Sequence, residues 1–438
     1  MKSRLLIVLA VSLLVSQVAL ACPFCSAPSL TLTEQLTQAD AAVLVKWVDG
    51  KPPTEKSAGS TTYSIVELSR GPKETLKKDD KLTVPRFRAG KKGDLFLLFG
   101  TKDKEIDWSS PLEVTEVTYQ YIVQAPSPEA PTAKRLAYFL KFLEFSDQLV
   151  SNDAYGEFAN APYEDIVKIR DKMDRVKIAK WINDKDASPT RLGLYGLLLG
   201  LCGNDEDAQM MEKKIKESSG GFRLGIDGLI SGYLLLTGEK GLDEIDRCKL
   251  KDQKVEFSET YAAMQALRFM WTFSNGRISK ERLRKSMREL LDRPNLADLV
   301  VADLARWEDW SVQDRLMTLY MEGEGDYALP SVKRAIVRYL LTAAKIQPPK
   351  VQPPKVDEGK KVEVAVVANK SPADAVPTVE VKTESDKPPT ITAKSTTETK
   401  SKPDDLPASA VQARANLDKL REIDPKTVKE AERFFFLQ

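Results

Sequence analysis

Ten residues of this chain occur twice. Arg191-Leu192-Gly193-Leu194-Tyr195-Gly196-Leu197-Leu198-Leu199-Gly200 returns 32 residues later as Arg223-Leu224-Gly225-Ile226-Asp227-Gly228-Leu229-Ile230-Ser231-Gly232, with six of the ten positions identical. Each copy is followed by a charged amphipathic segment, at 205–215 and 242–250. A period near 32 with two helices per unit predicts stacked helical hairpins, because one hairpin cannot bury its apolar face until a neighbour covers it. Each glycine within a helix costs about 1 kcal/mol relative to alanine. Three of them recur on one face of each copy, which predicts a neighbouring helix too close for any larger side chain. Neither copy ends in Gly-Lys-Ser/Thr or follows a strand, which excludes a phosphate-binding glycine loop.

Helical periodicity extends on both sides of the repeat. Leu136, Phe139, Leu140 and Leu143 form one stripe. Ser279 is placed to cap a helix carrying Leu283, Met287, Leu290 and Leu291, with Ile278 stapled onto Leu283. Asn295 and Asp298 make a capping-box-like start, and Pro330 stands at a first helical position. The array over 132–345 resembles solenoids of the HEAT, armadillo and tetratricopeptide kind, which implies about five two-helix units.

Ahead of it, the period is two. Candidate strands at 41–48, 61–68, 81–87, 94–99 and 113–123 are separated by Asp49-Gly50, Pro52-Pro53, Gly71-Pro72 and Gly90. They predict a small barrel or sandwich. The runs Ala39-Asp40-Ala41-Ala42-Val43-Leu44, Tyr63-Ser64-Ile65-Val66 and Gly93-Asp94-Leu95-Phe96-Leu97-Leu98 resemble netrin-like modules, which are OB-type barrels. That resemblance implies zinc chelation by an N-terminal cysteine, as in the tissue inhibitors of metalloproteinases; here the spacing is Cys-x-x-Cys, where that group has Cys-x-Cys.

The chain opens with Lys2 and Arg4, an apolar run from Leu5 to Val15, and Ala19-Leu20-Ala21. This is the pattern of a secretory signal cleaved after residue 21. The expected location is the periplasm or cell surface, with a lipoprotein anchor if Cys22 is lipidated. Cys22-Pro23-Phe24-Cys25 reads either as a structural pair or as a redox centre, and the lack of a preceding strand favours the structural reading. Cys202 and Cys248 are the only other cysteines. The expected bridges are Cys22 with Cys25 and Cys202 with Cys248, each inside its own domain.

No histidine occurs in the 438 residues. Ser-His-Asp and Cys-His catalysis, histidine metal ligands and c-type haem attachment are thereby excluded. Carboxylate chemistry survives. Asp303 and Glu308, beside Trp307 and Trp310, are the best candidates for the acid and base of a glycan-active enzyme, against the plainer reading of inter-repeat ion pairs and core tryptophans. Lys and Arg number 66 against 64 acids, so the whole chain is no polyanion binder. Between residues 70 and 92, however, Arg70, Lys77, Lys78, Arg86, Arg88, Lys91 and Lys92 form a basic excess, read as an anion-binding candidate or as solvated loops.

From Gln347 to Ala413 there are ten prolines, ten lysines and ten acids but no aromatic, a composition that cannot offset the entropy of ordering. A disordered linker is expected over 346–408. Leu417, Leu420, Asp424 and Pro425 then predict a short helical segment over 409–438 that docks on the array or on a partner.

The runs Ala21-Cys22-Pro23-Phe24-Cys25, Tyr155-Gly156-Glu157-Phe158-Ala159-Asn160-Ala161-Pro162-Tyr163 and Asp303-Leu304-Ala305-Arg306-Trp307 resemble a family of exported planctomycete proteins, a resemblance that brings no catalytic residues with it. The expected architecture is multidomain β + α: a signal at 1–21, an OB-like β domain at 22–128, a HEAT-like α-solenoid at 132–345, the linker, and C-terminal helices. The expected function is a non-enzymatic scaffold with a protein partner in the envelope, without cofactor, metal or nucleic acid. A thiol oxidoreductase through Cys22 and Cys25, or a carboxylate-based glycan-active enzyme, is the alternative.

Overall fold

A computed structural model describes residues 22, 24–25, 30–217, 221–346 and 406–435. The expected signal, most of the expected linker and residues 436–438 lie outside these. The chain divides into two compact units, Met1–Val300 and Val301–Gln438.

The first unit begins with α1 (Leu32–Gln38), whose N-terminus is closed by a Thr31–Glu34 capping box. An antiparallel sheet of six strands follows: β1 (Ala41–Lys51), β2 (Ser60–Arg70), β3 (Lys81–Val84), β4 (Leu95–Lys102), β5 (Ile106–Trp108) and β6 (Leu112–Glu113). Its order is β3-β2-β1-β4-β5, with β6 also on β4. Ala41, Val43 and Val45 of β1 join Tyr63, Ile65, Phe96 and Leu98 in one core. The alternate residues Ala42, Leu44 and Leu97 point to the opposite face and are buried as well. Both sides of the central strands are therefore covered, which is why β1 opens as an unbroken apolar run.

Several strands depart from expectation: β1 runs through Asp49-Gly50 to Lys51, β4 continues to Lys102, and β5 lies where no strand was expected. The third strand stops at Val84 because Pro85 has no N–H to give the ladder. The segment expected as a strand over 113–123 is mostly α2 (Glu116–Gln124), started by Thr115 accepting the N–H of Thr118. Its buried residues, Thr118, Tyr119, Tyr121 and Ile122, are spaced as a helix face, while Val117 and Val123 are exposed. β-Branched and aromatic residues gave this stretch a strand-like composition that its cap and its packing override.

The helices of the first unit are α3 (Thr132–Phe139), α4 (Gln148–Ala159), α5 (Tyr163–Val167), α6 (Arg175–Asn183), α7 (Leu192–Cys202), α8 (Asp205–Lys216), α9 (Ile226–Thr237), α10 (Glu239–Ile245), α11 (Phe257–Phe273) and α12 (Lys280–Glu289). The division between units falls within α13 (Ala297–Arg306). The two copies of the repeat are α7 and α9, and they lie side by side, with α11 on the far side of α9. Their glycines interlock. A Cβ on Gly200 would stand 2.4 Å from the Cα of Gly232, and one on Gly232 would stand 1.9 Å from the carbonyl oxygen of Gly196. The backbones meet where side chains would ordinarily separate them.

In the second unit, α14 (Gln313–Glu322) and α15 (Pro330–Ala344) are followed by α16 (Ala408–Ile423) and α17 (Pro425–Phe435). Both α16 and α17 rest on α15, burying Ala413, Leu417, Leu420, Val428 and Ala431. Asp424 links the two helices. One of its oxygens accepts the N–H of Thr427 at 3.1 Å, and the other accepts the hydroxyl of Tyr320 at 2.9 Å. The C-terminal hairpin thus docks within its own chain.

Candidate functional site

Phe24 and Cys25 are seated beside the glycine-packed helices. Cys22 and Cys25 are joined by a disulfide. Cys22 is only 3% exposed, and its N–H donates to the carbonyl of Ala159 at 3.1 Å. Phe24 reaches across to Phe269 of α11, ring centroids 5.0 Å apart. A Cβ on Gly193 would stand 3.1 Å from Phe24, so the first repeat glycine also makes room for this ring. The N–H of Cys25 returns to the carbonyl of Cys22 at 3.2 Å.

Cys25 is half-buried and lines a cleft of about 510 Å³ together with Tyr155, Phe222, Leu224, Asp227 and Tyr261. Phe222 is 72% exposed and Leu224 44%. Phe257, 47% exposed, stacks on Tyr261 with centroids 5.8 Å apart. Burial pushes the Asp227 carboxyl above its ordinary range against the N–H of Gly228, which holds it down. Arg223 anchors the wall by donating to both oxygens of Glu259, at 2.7 and 2.5 Å, and to the carbonyls of Lys214 and Ile215. Lys249 donates to the same carboxylate at 2.7 Å. Burial alone would raise Glu259, but these two cations hold it below the usual carboxylate range.

The other sequence candidates lie elsewhere. Cys202 and Cys248 are free thiols, not the expected bridge. Cys202 ends α7 near Asp174, Arg175 and Asp207, whereas Cys248 occupies a π-helical turn after α10 near Glu244 and Lys216, so different neighbours surround the two. Burial pushes Cys202 up to about 11. Asp303 is wholly buried and accepts from Arg306 at 2.5 Å, while Glu308 is exposed at a left-handed φ of 55°. Trp307 is buried and Trp310 packs on Tyr339 with centroids 5.2 Å apart.

The basic residues are spread over the ends of β2 and β3 and the turn before β4. Arg70 ends β2 opposite Ala42, and Lys77 and Lys78 sit in a turn whose Asp79 and Asp80 bond to Ile65. Past the other end of β3, Arg86 donates to Ser110 at 2.7 Å and Arg88 pairs with Glu113 at 3.0 Å. Lys91 and Lys92 begin the turn before β4, where Asp94 accepts the N–H of Lys91.

Two buried constellations were not anticipated. The arginine that opens each repeat copy clamps the chain beside it: Arg191 donates to the carbonyl of Leu143 and to Glu144, Ser151 and Asn152, as Arg223 does to Lys214, Ile215 and Glu259. Arg293, ahead of α13, donates to the carbonyls of Asp252, Gln253 and Val255. The shared Arg at the head of both copies was the visible signal. The second constellation ties α1 to α4. Asp153 accepts the N–H of Leu32 at 2.6 Å and the hydroxyl of Tyr121 at 2.7 Å, while Glu157 accepts from Thr33 at 2.5 Å and from Arg135. No periodicity announces it, since its members are far apart in sequence. No protein-family model, curated protein or solved structure matches the chain.

Proposed function

We propose that this chain is an exported, non-enzymatic interaction protein, a scaffold of the cell envelope, whose contact face is the cleft beside the Cys22–Cys25 disulfide. The observation that carries the reading is the exposure of Phe222 and Leu224 on the lining of one concave surface, with Phe257, also exposed, stacked on its Tyr261. Aromatic anchors flanking a pocket are the usual core of a protein–protein contact, and a patch of this kind in water asks for cover. Interlocked backbones of α7 and α9 make the support stiff, so little ordering entropy is lost on binding. The partner class is an apolar segment of another exported protein.

Export itself, and kinship with the exported planctomycete proteins, rest on the residue runs quoted above. Adjacent hairpins α7–α8 and α9–α10 support a HEAT-like solenoid over 132–345, and the register shifts along β1, which curl a strand, support an OB-like barrel within 22–128.

A photo-crosslinking analogue at Phe222 should capture a discrete envelope protein. Phe222→Asp with Leu224→Asp should abolish co-purification while leaving the melting temperature unchanged, because both side chains face solvent. The same proteins recovered with the double variant would end the proposal. The second reading, thiol–disulfide exchange, is favoured only by Cys25 lining the cleft. It requires insulin reduction that disappears in Cys22→Ser.

A further inference from the structure

Away from that cleft, a second concavity of about 610 Å³ lies between the α3 region and α6. Four lysines border it: Lys134 and Lys141 from one side, Lys172 and Lys177 from the other. All four residues are exposed, and among the described residues no carboxylate pairs with any of them. The single acid on the lining, Asp174, uses its Oδ1 to accept the N–H of Lys177 at 3.1 Å, capping the start of α6. That N-terminus contributes further positive potential. The floor is apolar, made by Ala137, Leu140, Ile178 and Trp181. Trp181 is held between the ammonium of Lys177, 5.5 Å from its ring, and Tyr195, 5.1 Å away, so it is a fixed wall and not an open stacking platform. The hydroxyl of Tyr138 is already committed to the carbonyl of Tyr121 at 2.7 Å, leaving its ring to the cavity.

We propose that this concavity is a binding site for a small organic anion: a phosphate monoester or sulfonate carried on an apolar, ring-sized body. Four lysines against the single carboxylate of Asp174 leave a net positive excess on the lining, and a multivalent anion relieves the repulsion among them. Lysines act as point charges and suit a tetrahedral oxyanion, whereas planar recognition of a carboxylate calls on arginine's fork. The volume matches a single small ligand, and the apolar floor supplies contact for the ligand's body. This site is independent of the partner surface described above.

The test uses the full chain and 1-naphthyl phosphate as probe, followed by calorimetric titration. Wild type should bind it, and Lys172→Gln with Lys177→Gln should weaken it by about tenfold or more, as should Lys134→Gln with Lys141→Gln, equivalent to about 1.4 kcal/mol each. Raising salt from about 50 to about 500 mM should weaken wild type by a comparable factor, because these charges face solvent. The neutral probe 1-naphthol and inorganic phosphate should each bind at least about tenfold more weakly than the ester. Equal binding of 1-naphthol would remove the charge argument, and equal binding of inorganic phosphate would remove the floor. No binding of the ester, or unchanged binding in both double variants, would overturn the site itself.

Discussion

Two glycine-to-alanine exchanges should move stability in opposite directions. On Gly156 of α4 a Cβ would meet only Thr31, at an ordinary 3.6 Å, so alanine should gain the helix-propensity difference of about 1 kcal/mol. On Gly232 the same atom falls on the backbone of Gly196, and prying α7 from α9 should cost about 3 kcal/mol, well above that gain. Urea denaturation of both variants checks this; a stabilised Gly232→Ala would undo the interlocking account. Asp153 makes a prediction in pH. Burial raises its carboxyl to about 6 from 3.8, despite hydrogen bonds from Leu32 and Tyr121 that favour the charge. A raised acid favours the folded state while protonated, so its contribution is present below about pH 4 and is lost as pH climbs through 6. Two pH units correspond to about 3 kcal/mol. Wild type should therefore lose stability between pH 4 and 6 relative to Asp153→Asn, whose amide oxygen can still accept from Leu32. Parallel stability curves for the two proteins across that window would refute it.

At the scale of elements, the C-terminal hairpin is held by apolar contact reinforced at its corner. Leu420 is wholly buried, so Leu420→Ala should cost about 3 kcal/mol and increase binding of a hydrophobic dye. An unchanged denaturation midpoint would mean that α16 does not rest on α15 in solution. Legibility from sequence varied among these elements for a physical reason. Ser279, Pro330 and Asp424 were readable as helix starts because a cap is satisfied within three or four residues. α2 was not, because Val, Thr and Tyr suit a strand until Thr118, Tyr119, Tyr121 and Ile122 find neighbours on one side. Glycine recurrence announced a close helix pair through Gly196, Gly200, Gly228 and Gly232, whereas Gly225 precedes α9 at a left-handed φ of 74°.

For the whole molecule, the division at Val300 separates two units with their own buried cores. Scanning calorimetry should resolve two transitions, one shifted by Gly232→Ala and the other by Leu420→Ala. A single transition displaced equally by both exchanges would mean that the units melt as one. Asp303 and Glu308 illustrate what only the assembled molecule tells: neighbours in sequence, one is sealed in the core and the other left in water. The seven basic residues make the same point, being one cluster in sequence but divided among the ends of three strands in space.

By itself, the sequence determined the type of many stretches but not of 113–123, where several helices start, and that two glycine-bearing helices must touch, because caps, periodicity and missing side chains act over a few residues. Tertiary structure decided which cysteines meet, which carboxylates are buried, where the repeat arginines find their acceptors and which lysines share a concavity. Those outcomes depend on groups tens of residues apart, brought within hydrogen-bonding distance only after the apolar faces have packed.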